Sequence, residues 1–276
     1  TCVITDFLWT LGYFLMATAD AEYADRMEKV AYNALPGAVT GDWMTLQYLS
    51  SPNQVIAAPE SNHTGFFFGV SPWRQYRINH FPQCCPGNVH RALPNFVARM
   101  WMTMADGAPA ASLYGPSEFC GSYRGSPYRI EETTRYPYEG EIQFRLHGDL
   151  PGTMPFAFRI PGWCRRATLR FNGAEVEADG SIGTYRVLRC FHHDGDTVTL
   201  SLEMEVRRYA ERNWQWFERG ALLFALPIAA AAADREPADP RNYRFTPAAA
   251  WDYAPLPEAD VSVHIHPEGS PWSVEH

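Results

Sequence analysis

From Val3 to Met16 almost every position is apolar, with Thr5, Asp6, Thr10 and Gly12 as the interruptions. A helix that is apolar on nearly every side is a buried one, so this run predicts a helix inside a large all-α core. A surface terminus is not built this way, and neither an initiator Met nor a signal peptide precedes the run. The expectation is a chain that starts inside a domain. A second helix is predicted over Ala21 to Leu35, where Tyr23, Met27, Val30, Ala31 and Ala34 recur at helical spacing. Pro36-Gly37 closes it. From Gly41 to Gln83 the pattern dissolves into Ser, Pro, Asn and Gly, which predicts long loops, and long loops in a compact domain usually serve function. A third helix is predicted over Asn88 to Ala105, kinked or started by Pro94.

After Gly107 the period shortens to two. Short runs rich in β-branched and aromatic residues cover Tyr128 to Arg135, Glu141 to Leu146, Pro155 to Ile160, Thr168 to Phe171, Tyr185 to Leu188 and Thr197 to Leu202. Turn signals such as Asn172-Gly173 and Asp194-Gly195-Asp196 separate them, and this rhythm predicts an antiparallel β-sandwich. The expected organisation is multidomain α + β, with a helical domain over residues 1–107 and sandwich material over residues 108–276. Residues 234–276 are rich in Pro, Ala and acidic side chains and predict nothing definite.

The 276 residues carry a net charge of −8, and that balance argues against a nucleic-acid partner because phosphate backbones attract basic surfaces. The longest apolar run, Ala221 to Ala233, is too short for a membrane span and is broken by Pro227. Aromatic residues make up 14%, which suits stacking on sugar faces as well as filling a core. Six cysteines in a chain this long are too few for a disulfide scaffold, so their placement carries the information.

That placement singles out Gln83-Cys84-Cys85-Pro86-Gly87-Asn88-Val89-His90-Arg91. Two adjacent thiols just ahead of a helix feel its positive end, which favours thiolate. Adjacent cysteines rarely bridge each other, but two thiolates suit one soft cation such as Zn²⁺, and Cys2 is the natural third ligand if the first helix comes near. On spacing alone, cysteines that are merely buried remain an equal reading.

Three motifs resemble glycoside hydrolase family 127, the β-L-arabinofuranosidases, and its relative family 146. They are Thr1-Cys2 leading into an apolar helix, Tyr48-Leu49-Ser50-Ser51-Pro52-Asn53-Gln54, and Cys84-Cys85-Pro86-Gly87-Asn88. Downstream, Phe156 to Cys164, Phe171-Asn172-Gly173, Asp194-Gly195-Asp196, Arg219-Gly220 and Trp251-Asp252-Tyr253 resemble the region that follows the family's catalytic domain. The resemblance implies the last helices of an (α/α)6 barrel followed by a β-sandwich. It implies zinc on Cys2, Cys84 and Cys85 with a Glu preceding Thr1, and Cys84 as the nucleophile of a retaining mechanism. The acid/base Glu is expected upstream as well. It also implies substrate-binding roles for His80, Tyr48 and Asn53, and Trp73 is a candidate apolar platform for the sugar ring, with plain packing as an equal reading. The segment Asn79 to Gln83 departs from the family, so the resemblance does not fix the sugar preference.

Two other readings belong to different classes. One is a carbohydrate-binding or structural β-sandwich module without catalysis, and the other is a thiol redox or proteolytic protein using Cys84 with His80. The expected partner is a carbohydrate, an arabinofuranoside-containing oligosaccharide or glycan, with no nucleic acid and no membrane. Homodimerisation stays open. The need for reduced thiols leans the expected location towards the cytoplasm.

Overall fold

The computed structural model describes residues 1–52, 54–61, 69–177, 180–212, 214–231, 234–236, 239–252 and 263–264. The chain forms two compact units, each discontinuous in sequence. One holds residues 1–8, 30–94 and 224–276, and the other holds residues 9–29 and 95–223. The expected division at 107/108 marks a change of sequence character, whereas the compact units are interleaved along the chain.

Helix α1 runs Cys2–Thr18 and α2 runs Ala21–Lys29, where a π-helical turn, Val30–Ala34, and the short α3, Leu35–Gly37, prolong it. Along α1 the residues Leu8, Leu11 and Leu15 form one buried stripe, while Phe7, Trp9, Tyr13, Phe14 and Met16 are exposed. The all-round reading is thereby corrected: the helix is buried on one side only, since residues three and four apart share a face. Helix α4 is Cys84–Val97, not Asn88 to Ala105. It starts earlier because Pro86 falls in the first turn, where its missing N–H costs no bond. It stops earlier because residues 101–103 pair as a strand.

In the first unit the loop region is pinned by backbone bridges. Leu46 pairs with both Val39 and Arg77. The pair β14 (Asp234–Glu236) and β15 (Asp239–Arg244) supplies further bridges, Tyr243 to Tyr76 and, just past the strand, Phe245 to Ala57.

The second unit is built on sheets. One has the order β1-β2-β6-β9, from Trp101–Thr103, Pro109–Ala111, Met154–Arg159 and Tyr185–Phe191. Another has the order β3-β4-β5-β10-β7-β8, from Ser117–Tyr123, Ser126–Thr134, Glu141–His147, Thr197–Leu202, Ala167–Phe171 and Ala174–Val176. A third is the ribbon β11 (Val206–Glu211), β12 (Trp214–Arg219) and β13 (Leu222–Leu223). Strand β5 alternates buried Ile142, Phe144 and Leu146 with exposed neighbours, as one wet and one dry face require. Phe144 meets Phe156 at 5.0 Å and Phe158 at 5.4 Å, so these two sheets share an aromatic core. All six expected strands form. Every described ladder is antiparallel except β2 with β6, which is parallel. A parallel pair needs a long crossover, and the segment carrying β3 to β5 provides it.

Two turns show local sequence acting directly. Asn172 and Gly173 both take positive φ, as the tight β7–β8 hairpin demands. At Gly140 an added Cβ would lie 2.1 Å from the carbonyl oxygen of Leu202, so only glycine lets the two backbones approach.

Candidate metal centre

The site starts from helical spacing. Cys2 and Thr5 lie three apart on α1, and Cys85 and Asn88 lie three apart on α4, so each pair shares a face. The two faces meet. Thr5 Oγ1 donates to the Asn88 carbonyl at 3.1 Å, Arg91 pairs with Asp6, and Arg91 Nε donates to Asn88 Oδ1 at 2.7 Å. This clamp carries Cys2 to the start of α4. Its Sγ lies 3.2 Å from that of Cys84 and 3.3 Å from that of Cys85.

The three sulfurs all lie within 4.8 Å of one another, the one group of three potential metal ligands among the described residues. Cys85 is buried in an apolar cluster with Val39, Leu46 and Val89, against which Cys2 and Tyr48 pack. Cys84 is exposed and Cys2 half-buried, so the group opens to solvent on the Cys84 side. Burial pushes the Cys85 thiol up to about 12. Hydrogen bonding from Cys2, then from Cys85 and the Tyr48 hydroxyl, moves the Cys84 thiol the other way, below its ordinary value. An exposed thiol whose ionisation its neighbours favour thus lies beside a buried one whose ionisation burial disfavours.

The donor set fits a thiophilic cation. Tetrahedral Zn²⁺ with sulfur at about 2.3 Å holds its ligand sulfurs roughly 3.8 Å apart, a small outward adjustment from the observed spacing. Three soft donors select zinc-like ions over calcium or magnesium. No carboxylate belongs to the group.

Tyr48 stacks on Trp73 with centroids 4.7 Å apart and rings inclined by 24°, and Trp73 Nε1 donates to the Phe81 carbonyl at 3.0 Å. Burial raises the Tyr48 hydroxyl, as does the negative charge of Cys84 to which it donates. His80 is only 3% exposed, and its Nε2 donates to the Leu46 carbonyl at 2.8 Å. Its ring centroid is 6.0 Å from that of Tyr48. Burial lowers the His80 pKa, which keeps the ring neutral. The structure thus gathers Cys2, Cys84, Cys85, Tyr48, Trp73 and His80 in the first unit. Asn53 lies outside the described residues. Cys120, Cys164 and Cys190 lie in the second unit and are free thiols.

Sequence reasoning missed the supports. Gln47 is buried and its Nε2 donates to the Arg74 carbonyl at 2.7 Å, fixing the segment that carries Tyr48. The three-residue spacings Cys2–Thr5 and Cys85–Asn88 were the available signal for the clamp.

Residues 1–98 match the family description "Beta-L-arabinofuranosidase, GH127 catalytic domain", and residues 110–204 match "Beta-L-arabinofuranosidase, GH127 middle domain". No curated protein matches the chain by sequence. Among solved structures, one described as a glycoside hydrolase is 25% identical with a TM-score of 0.64, the match covering 76% of this chain and 35% of that one. A GH127 β-L-arabinofuranosidase from Geobacillus stearothermophilus T6 is 23% identical with a TM-score of 0.67, covering 79% of this chain and 35% of that one. A GH127 β-arabinofuranosidase is 17% identical with a TM-score of 0.67, covering 89% of this chain and 45% of that one. The last two likenesses speak for the fold. The chain spans between 35% and 45% of the lengths of these structures.

Proposed function

Since the chain belongs to glycoside hydrolase family 127, we propose that it forms part of a retaining β-L-arabinofuranosidase whose nucleophile is Cys84. The observation that carries this reading is the convergence of Cys2, Cys84 and Cys85, with Cys84 the one exposed sulfur of the three. Helices α1, α2 and α4 are assigned to the closing part of an (α/α)6 barrel.

The chemistry follows from a thiolate facing an anomeric carbon. The Cys84 sulfur supplies the electron pair for a new C–S bond as the glycosidic C–O bond breaks, and the departing oxygen takes a proton from a carboxylic acid. Water, giving a proton to the carboxylate left by the first step, then forms a C–O bond from the face that the leaving group vacated as the C–S bond breaks and the sulfur departs as thiolate, and two inversions give retention. A zinc ion held by Cys2, Cys84 and Cys85 supplies positive charge that keeps these thiols ionised at neutral pH. The proton donor and a fourth ligand are assigned to parts of the family's catalytic domain that these 276 residues do not include. The 276-residue chain alone is therefore expected to be inactive.

Tyr48 steadies the sulfur through its hydroxyl, and Trp73 braces Tyr48 while offering an apolar edge to the sugar. His80 acts as a positioning residue, holding the Leu46 carbonyl and with it the segment that ends in Tyr48. The substrate is a β-L-arabinofuranoside on an oligosaccharide or glycan, and three working thiols suit a reducing compartment.

Thiolate character decides the test. A haloacetamide derivative of arabinofuranose should alkylate Cys84 of the full-length protein ahead of Cys120, Cys164 and Cys190, read by peptide mass mapping. Labelling spread evenly over the sandwich cysteines would remove Cys84 from the role.

A further inference from the structure

The ribbon β11–β12 carries its aromatic residues on one side. Opposite partners in an antiparallel pair share a face, and the register sets Arg207 against Glu218, Tyr209 against Trp216 and Glu211 against Trp214. All six therefore project from the same face. Tyr209 and Trp216 lie nearly parallel, 12° apart with centroids at 5.5 Å. Trp214 stands next in line, two residues along the strand, and is 54% exposed. A tryptophan this open on a polar ribbon is not filling a core.

The polar groups around these rings are arranged in cancelling pairs. Lys29 Nζ sits 2.6 Å from Glu218 and 6.0 Å from the centre of the Tyr209 ring. Trp216 Nε1 donates to Glu218 at 3.0 Å, and Arg26 pairs with Glu22. A cleft of about 310 Å³ opens beside the row, lined among others by Asp25, Lys29, Trp163, Arg207 and Tyr209. That volume is at the lower end for small-ligand sites.

We propose that this face binds a neutral oligosaccharide, with Trp214 and Trp216 stacking on sugar rings and the cleft taking a further ring. The rows of apolar ring faces edged by hydroxyl-seeking charges match the amphipathic faces of a sugar. Arg207 and Glu211 contribute one charge of each sign and the other charges are paired, so the face has no surplus sign to recruit an anionic or cationic ligand. The guanidinium of Arg207, which has no partner among the described residues, is free to donate to hydroxyls. The choice of a saccharide as ligand rests on the glycosidase reading.

The test uses the full-length protein with Trp214→Ala, at an exposed position, and Arg207→Ala, at a half-buried one whose side chain has no ion pair among the described residues. Calorimetry with a linear arabino-oligosaccharide should show about tenfold weaker binding for Trp214→Ala, a typical loss for one stacked ring. Turnover of an aryl arabinofuranoside and the unfolding midpoint should stay at wild-type values. Unchanged oligosaccharide binding in both variants would overturn the proposal, as when another part of the protein covers this face. An equal loss of aryl-glycoside turnover would overturn it too. Should the wild type fail to cleave the aryl glycoside at all, the catalytic reading falls while the binding comparison still decides this one.

Discussion

Cys2 Sγ and Cys84 Sγ lie 3.2 Å apart although 82 positions separate them in the chain. Two thiols at that distance, with a third beside them and no disulfide formed, need either protons or a cation to hold them together. The site's organisation follows from which of these is present.

The first prediction concerns that cation. Full-length protein should carry zinc near one equivalent, and Cys85→Ser should lose most of it, because a hydroxyl is a poor donor to a soft ion. Elemental analysis of the purified proteins checks this. Equal metal content in wild type and Cys85→Ser would remove the three-thiol site.

A second prediction lies in the sheet unit. Arg159 is fully buried, pairs with Glu28 at 2.5 Å and with Asp25, and Tyr136 donates to Glu28 at 2.5 Å. Arg159→Met leaves Glu28 buried without its cation, which typically costs about 3–5 kcal/mol. Urea unfolding should show a loss of that size. A change within about half a kcal/mol would mean that the neighbours compensate.

Much of this was legible in the sequence, and the reasons differ by element. The strands from Tyr128 to Leu202 announced themselves because each buries one face, so alternation is written into residues such as Ile142, Phe144 and Leu146. Strand β6 is buried at all six positions and reads as a run, yet its bounding turns still marked it. The end of α4 was misread because the run Met100-Trp101-Met102 is apolar in a helix or a strand alike, and only pairing with β2 makes residues 101–103 a strand. The Cys84-Cys85 pair stood out by adjacency. Its meeting with Cys2 was an expectation that local pattern does not contain, since it depends on the Thr5–Asn88 and Asp6–Arg91 contacts. The network around Arg159 left no signal, because Glu28 and Asp25 look like ordinary surface residues of a helix.

A third prediction is a pH dependence. Glu132 is fully buried, accepts from Gly115 N at 3.0 Å and Ser117 Oγ at 2.9 Å, and burial pushes its carboxyl up to about 8. The folded state therefore holds a proton that the unfolded chain releases near pH 4.5. Its stabilising effect is full below about pH 4.5 and fades as pH rises towards about 8. Denaturation midpoints measured at several pH values should fall across that window in wild type and flatten in Glu132→Gln. Parallel slopes in the two proteins would show that Glu132 is ionised throughout.

Cys84 is the group proposed to attack the sugar. The most direct measurement is turnover of an arylated β-L-arabinofuranoside by full-length Cys84→Ala, with Cys84→Ser beside it. The predicted result is a loss of at least about a thousandfold in kcat for Cys84→Ala, with zinc-site integrity checked separately, and little rescue by Cys84→Ser because its alkoxide is a poorer leaving group in the second step. Wild-type turnover by Cys84→Ala would contradict the thiolate mechanism and return the search to a pair of carboxylates.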